Sequence, residues 1–175
     1  MSKESFMTMS SAASRVRRSE KEAAAGFTAS PSLAEALQQI LVDLIELHLQ
    51  SKQAHWNLVG SNFRELHLAL DQIVDVARDA SDTVAERMRA VGAVPDGRSE
   101  TVAAHATLPA FPEGEQDTTT VVDLVTGRLR ATTHTARALH DTVDREDPAT
   151  ADLLHMIIGI LEKHAWMVSA ENRIV

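Results

Sequence analysis

The sequence predicts an all-α fold, a bundle of four long helices with one long crossover between the second and third. Two observations carry it: apolar residues return every third or fourth position in four separate stretches, and no run with strand-like alternation competes with them. A third is the placement of Pro and Gly, gathered at a few junctions instead of being spread along the chain. The chain has 175 residues, 44% of them apolar, enough for one substantial core and too ordered a composition for a disordered or fibrous protein.

Residues 1–29 are Ser- and Ala-rich without a sustained apolar period, and are read as a mobile tail preceding a bundle over 30–175. Up to Ser19 the tail carries Lys3, Arg15, Arg17 and Arg18 against Glu4, a local balance of +3 on a chain of net charge −8. The first helix opens with Ser30 as N-cap and Pro31 in its first position. Its stripe is Leu33, Leu37, Ile40, Leu44 and Leu47, and it is expected to end near Gly60. Asn62 with Glu65 has the spacing of a cap for the second helix, whose apolar face is Leu66, Leu70, Ile73, Val74, Ala77, Val84 and Met88, ending at Gly92. So short a turn forces these two helices to pack antiparallel.

Between Ala93 and Gln116 lie Pro95, Pro109, Pro112, Gly97 and Gly114. This is a crossover, with room for a short helix over Ser99–Ala106. The third long helix is read from Asp117 to Val143, with Val121, Val125, Leu129 and Leu139 on its apolar side. Asp147-Pro148 then starts a fourth carrying Leu153, Leu154, Ile157, Ile158, Leu161, Ala165 and Val168. Two hairpins joined by one long connection make the ferritin-like version of the four-helix bundle.

Composition also bounds function. Without cysteine there is no disulfide, no thiolate metal site and no cysteine nucleophile, which is compatible with a reducing cytoplasm. The strongly apolar stretch Met156–Leu161 is far short of the roughly 20 residues that span a bilayer, and polar Ser and Arg occupy the place of a secretory core, so no membrane partner is expected. A net charge of −8 argues against a body that grips nucleic acid with its general surface.

The segment that carries chemistry holds His55, His67, Asp71, Asp82 and Glu86. The midpoint of 55 and 67 falls on the Gly60-Ser61 turn, so the two imidazoles should stand level on neighbouring helices. His67 and Asp71 are four apart, as are Asp82 and Glu86, so each pair shares a face and can chelate. Asp71 and Asp82, eleven apart, share a face but stand roughly 16 Å from each other along a straight helix. One metal cannot touch both. Either the segment holds two half-formed sites, or a second copy related by a two-fold axis brings its Asp82 and Glu86 against His55, His67 and Asp71. A nitrogen and oxygen set without sulfur suits iron(II) and tolerates zinc, manganese and cobalt. Against this stands the plain fact that His and carboxylate at helical spacing recur by chance. His48, His105, His134, His140 and His164 are read as core or surface histidines, and Asp152 with His155 as structural.

His-Trp-Asn at 55–57, Gly60, Phe63, Leu66-His67, Asp71, Asp82 and Ala85-Glu86-Arg87, at these separations, resemble Dps, the DNA-binding protein from starved cells, a mini-ferritin; the resemblance covers about residues 30–173. It implies a hollow dodecamer of four-helix subunits with di-iron ferroxidase centres shared at two-fold interfaces, His55, His67 and Asp71 coming from one subunit and Asp82 and Glu86 from its neighbour. Trp56 matches a tryptophan that packs beside the centre, with a core anchor as its plain reading, and Lys52 and Arg87 match residues that help organise it. Ferritins whose site lies inside one bundle use Glu-x-x-His on paired helices. No Glu here has a His three residues on.

The resemblance further implies that Fe(II) enters the shell, is oxidised by hydrogen peroxide in preference to dioxygen, and is stored as ferric mineral, protecting DNA. Imidazole ligates only as the neutral base, so uptake should fall on acidification below about 6.5. Asp144, Glu146, Asp147 and Asp152 cluster where the family has acidic pores; Asp147 as a mere helix cap is the alternative. Leu68 stands where some relatives place an acidic residue facing the cavity. Arg15, Arg17 and Arg18 on twelve tails could recruit DNA multivalently, giving a cytoplasmic, nucleoid-associated protein. Two other classes compete: an architectural nucleoid protein, and a hydrolase using a metal-bound water.

Overall fold

The computed structural model describes residues 26–174. In chain order these form α1 (Pro31–Asn57), β1 (Leu58–Val59), α2 (Phe63–Ala90), α3 (Ser99–His105), β2 (Gln116–Asp117), α4 (Thr118–Glu146) and α5 (Pro148–Ala170). The readings that rest on Arg15, Arg17, Arg18 and most of the tail lie outside the described residues.

The apolar stripes fold inward as their periodicity requires. Leu33, Leu37, Ile40, Leu44 and Leu47 of α1 are at most 1% exposed, and Leu70, Ile73, Ala77 and Val84 of α2 are fully buried. Val121 and Leu129 of α4 and Leu154 and Leu161 of α5 complete one continuous core. Ser30 caps α1, its hydroxyl accepting from Leu33 N at 3.2 Å, with Pro31 behind it.

The two-residue pieces β1 and β2 pair in parallel, Leu58 with Gln116 and Val59 with Asp117. The sequence offers no strand candidate here, and the reason is length: two residues carry no alternation to read. The bridge has a topological consequence. It places the start of α4 beside the end of α1, at the end of the bundle where α2 also starts. Helices α2 and α4 therefore run in the same direction, and the crossover has to travel the length of the bundle.

Buried polar groups tie that crossover down. Asp43 on α1 is fully buried, and its carboxylate accepts from Thr107 N and Thr107 Oγ1 at 2.7 Å and from Thr135 Oγ1 at 2.8 Å. Arg128 on α4 donates to Gln50 Oε1 at 3.0 Å and to the Ala110 carbonyl at 2.9 Å. An unpaired donor or acceptor inside the core would cost about 1–3 kcal/mol, so these bonds fix the register of the crossover.

Three expected caps differ in the structure. Helix α1 ends at Asn57, short of Gly60, because residues 58–59 leave it to pair with β2. Asn62 precedes α2 in the left-handed region, φ 62°, and does not cap with its side chain. Its amide donates instead to Glu171 Oε2 at 2.7 Å. Asp147 occupies the N-cap position of α5 with Pro148 behind it, as the sequence predicts, but its side chain makes no capping bond, because its carboxylate is engaged by Arg87 and Thr150.

Candidate metal centre

The short turn places His55 at the end of α1 opposite His67 in the first turns of α2, as the midpoint arithmetic requires. The two rings stack with centroids 3.6 Å apart and planes at 25°. Their hydrogen bonds are reciprocal: His55 Nδ1 lies 3.1 Å from the His67 carbonyl, and His67 Nδ1 lies 3.1 Å from the His55 carbonyl. A carbonyl can only accept, so each Nδ1 carries the proton. In the neutral ring this tautomer leaves the lone pair on Nε2, the nitrogen that could then bind a metal. His55 is buried, and Phe63 stacks on His67 with centroids 5.1 Å apart.

Asp71, one turn beyond His67, completes the group: ligand atoms of His55, His67 and Asp71 all lie within 4.8 Å of one another. Among the described residues this is the one set of three metal-ligating side chains so placed. Asp71 Oδ1 accepts from Lys52 Nζ at 2.6 Å and stands 3.2 Å from His55 Nδ1. The Lys52 hydrogen bond holds the Asp71 carboxyl below the usual carboxylate range; partial desolvation opposes it and the neighbouring imidazoles assist it. The site is thus a pair of oriented imidazoles and an ionised carboxylate, a hard and borderline donor set for a divalent first-row ion.

Asp82 and Glu86 lie further along α2, exposed, and outside that group. Lys52 touches the site. Arg87 points elsewhere, donating from Nη2 to Asp147 Oδ2 at 2.6 Å and from Nε to Thr150 Oγ1 at 2.7 Å. Trp56 is 68% exposed, so within one chain it is no core anchor. Helix periodicity explains the failure of that reading, since position 56 lies off the buried stripe of α1.

The acidic residues around the α4–α5 junction divide by environment. Asp144 and Asp152 are exposed. Glu146 accepts from Ser30 N at 2.7 Å and from Ser30 Oγ at 2.6 Å, tying the start of α1 to the end of α4. Asp147 is 8% exposed. Burial pushes its carboxyl up, but the bonds from Thr150 and Arg87 outweigh this and hold it below the usual range. Sequence reasoning missed the Arg87–Asp147–Thr150 network because Arg87 stands 60 or more residues from the other two. It also missed the contact of Phe63 with His67, which the four-residue spacing on α2 could have signalled.

No helix among the described residues is long and apolar enough to cross a membrane. The family model of the ferritin-like domain matches residues 34–173. A DNA protection during starvation protein of Deinococcus radiodurans is 37% identical over 78% of this chain and 56% of its own, so this chain spans just over half the length of that relative. The fine tangled pili major subunit of Haemophilus ducreyi is also 37% identical, over 79% of this chain and 73% of its own. A crystal structure of a Dps protein from Deinococcus radiodurans superposes with a TM-score of 0.77 at 36% identity, covering 79% of this chain and 84% of that one. With a ferritin-like match across the whole bundle and Dps proteins among both its sequence relatives and its structural neighbours, the chain belongs to the Dps branch of the ferritin-like family.

Proposed function

We propose that the protein is a ferroxidase and iron-storage subunit that assembles into a hollow dodecamer, oxidises Fe(II) with hydrogen peroxide in preference to dioxygen, and so protects DNA in the cytoplasm. The observation that carries the reading is the composition of the half-centre: His55, His67 and Asp71 are grouped within reach of one ion while Asp82 and Glu86 stand apart on the same helix. A partner subunit supplying Asp82 and Glu86 would bring the set to two imidazoles and three carboxylates. The surface beside the half-centre supports such a partner, because Trp56 and Phe63 leave 68% and 44% of their area exposed there.

Iron is the substrate. The carboxylates favour Fe(III) over Fe(II), which lowers the barrier to electron loss, and the hydrogen bonds from each Nδ1 to the backbone hold the imidazoles in place before the ion arrives. Two Fe(II) ions each losing one electron match the two electrons and two protons that convert one peroxide into two waters, which avoids releasing hydroxyl radical. Asp144 and Asp152, exposed near the α4–α5 junction, are the better pore candidates; Asp147 is engaged by Arg87. DNA contact through Arg15, Arg17 and Arg18 is proposed only as a weak, salt-sensitive attachment.

The test is to add Fe(II) and peroxide to the purified protein and follow ferric absorbance, then to repeat it with His67→Ala and Asp82→Ala. Each variant should lose most of the rate. Subunits of the two variants, dissociated and reassembled together, should recover part of it, because the lesions fall on opposite sides of a shared centre. Full activity in Asp82→Ala, or an isolated monomer that turns over iron, would overturn the reading.

A further inference from the structure

The second hairpin repeats the geometry of the first. The midpoint of residues 140 and 155 falls at the Asp147-Pro148 bend between α4 and α5, so His140 and His155 stand level on neighbouring antiparallel helices, as His55 and His67 do at the opposite bend. Their rings stack with centroids 4.4 Å apart and planes at 27°. Each imidazole has a carboxylate beside its Nδ1: Asp141 Oδ1 at 3.6 Å from His140, and Asp152 Oδ1 at 3.7 Å from His155. These separations are too long for hydrogen bonds, and both carboxylate side chains are almost fully exposed. They can turn toward an ion without leaving a partner unpaired.

Two further observations point to a ligand. His140 Nε2 is buried and has no hydrogen-bond partner, and its Nδ1 has none within range, so no hydrogen bond holds the ring and a turn of the imidazole can bring either nitrogen to an ion. The pair also borders an open cavity of about 350 Å³, room enough for a hydrated ion. The Arg137 guanidinium, which lines that cavity, is held by Glu162 at 2.7 Å, so its charge is already countered. Ordinary core stacking does not account for the arrangement, because the His155 side chain is 61% exposed.

We infer that His140 and His155, with Asp141 and Asp152, form a second binding site for a divalent first-row transition ion. Two imidazole nitrogens and two carboxylate oxygens without sulfur make a set suited to zinc, cobalt or iron(II). The site needs no second subunit, because all four donors come from one hairpin. It shares no residue with the half-centre at the other end of the bundle and does not rest on the ferroxidase reading.

The test is an anaerobic titration of the full-length assembled protein with Co(II), followed by visible absorption and calorimetry. The unmodified protein should show two classes of site. His155→Ala, an exposed position whose loss leaves the core intact, should abolish one class while the initial rate of Fe(II) oxidation stays unchanged. His67→Ala should abolish the other class and keep the first. Asp152→Asn should weaken the His140–His155 site about tenfold while the melting temperature holds. A His155→Ala protein that takes up as much Co(II) as the unmodified one, with the same spectrum, overturns the inference whatever the ferroxidase assay gives.

Discussion

The two hairpins of the bundle place a histidine pair in the same way and hold it differently. At the α1–α2 bend the rings are 3.6 Å apart and each Nδ1 is bonded to the carbonyl of the other histidine's residue. At the α4–α5 bend the rings are 4.4 Å apart and each Nδ1 faces an exposed carboxylate beyond hydrogen-bond range. Level placement follows from residue counting about a tight turn, and any antiparallel pair of helices can provide it. Rigidity depends on what engages the second ring nitrogen, and backbone carbonyls, which cannot rotate away, engage it more firmly than free side chains.

The bends themselves are stabilised by different means, and this gives the largest expected effect. The α4–α5 junction depends on Asp147, whose carboxylate takes Arg87 and Thr150 while it is itself buried. Asp147→Ala leaves a partly buried guanidinium without its carboxylate, with only the bond to Thr150 remaining, and should cost about 3 kcal/mol in urea unfolding. Co(II) binding at His55 and His67 should survive it, since that pair lies at the other end of the bundle. The pH dependence has a definite sign. The folded-state carboxyl of Asp147 lies below its unfolded value, so its contribution is fully present above the ordinary Asp range of about 3.9, and is lost as pH falls through the depressed folded value. The stability gap between the unmodified protein and Asp147→Asn should therefore be flat from neutral pH to about 4 and narrow below that. A gap that widens on acidification would show that another group controls this junction.

A smaller effect is expected at the α1–α2 bend. Gly60 sits at φ 118°, which side chains with a Cβ rarely adopt, yet a Cβ there would meet nothing nearer than Thr118 Oγ1 at 3.5 Å. The cost of Gly60→Ala is therefore conformational and not steric, about 1–2 kcal/mol. Because this turn sets the level of His55 against His67, the variant should lose more Co(II) affinity at that pair than at His140 and His155. Equal losses at both would mean that the turn does not position the rings.

Much of this was legible in the sequence, for a physical reason. A stripe such as Leu33, Leu37, Ile40, Leu44 and Leu47 encodes its own burial locally, and the His55–His67 pairing needs only the turn between them. The separation of Asp71 from Asp82 follows from helix rise alone. What stayed hidden depends on contacts between distant segments. Asp147 reads as a helix cap because the pairing of Asp with Pro at 147–148 is a local signal, and it does hold that position, but the partner of its carboxylate, Arg87, is 60 positions away. Asn62 reads as a cap in the same way and instead reaches Glu171. His140 and His155 each look ordinary alone, and only the same midpoint count used for the first hairpin reveals them as a pair.

The smallest effect on stability, and the sharpest comparison of the two sites, is expected at Lys52. Its ammonium lies 2.6 Å from Asp71 Oδ1, with the two side chains 29% and 44% exposed, so the pair is partly screened by solvent and Lys52→Met should change stability by less than about 1 kcal/mol. The effect on binding should run the other way from most deletions. Without the ammonium, the Asp71 carboxyl should move up toward its usual range but stay ionised at neutral pH, so no proton replaces the lost cation. An incoming divalent ion then no longer competes with an internal positive charge for that oxygen. Co(II) affinity at His55, His67 and Asp71 should rise, most clearly at low salt, while affinity at His140 and His155 stays the same. If Lys52→Met instead weakens the first site, Lys52 orients Asp71 more than it competes for it, and the rigidity of this centre extends to its carboxylate as well as its imidazoles.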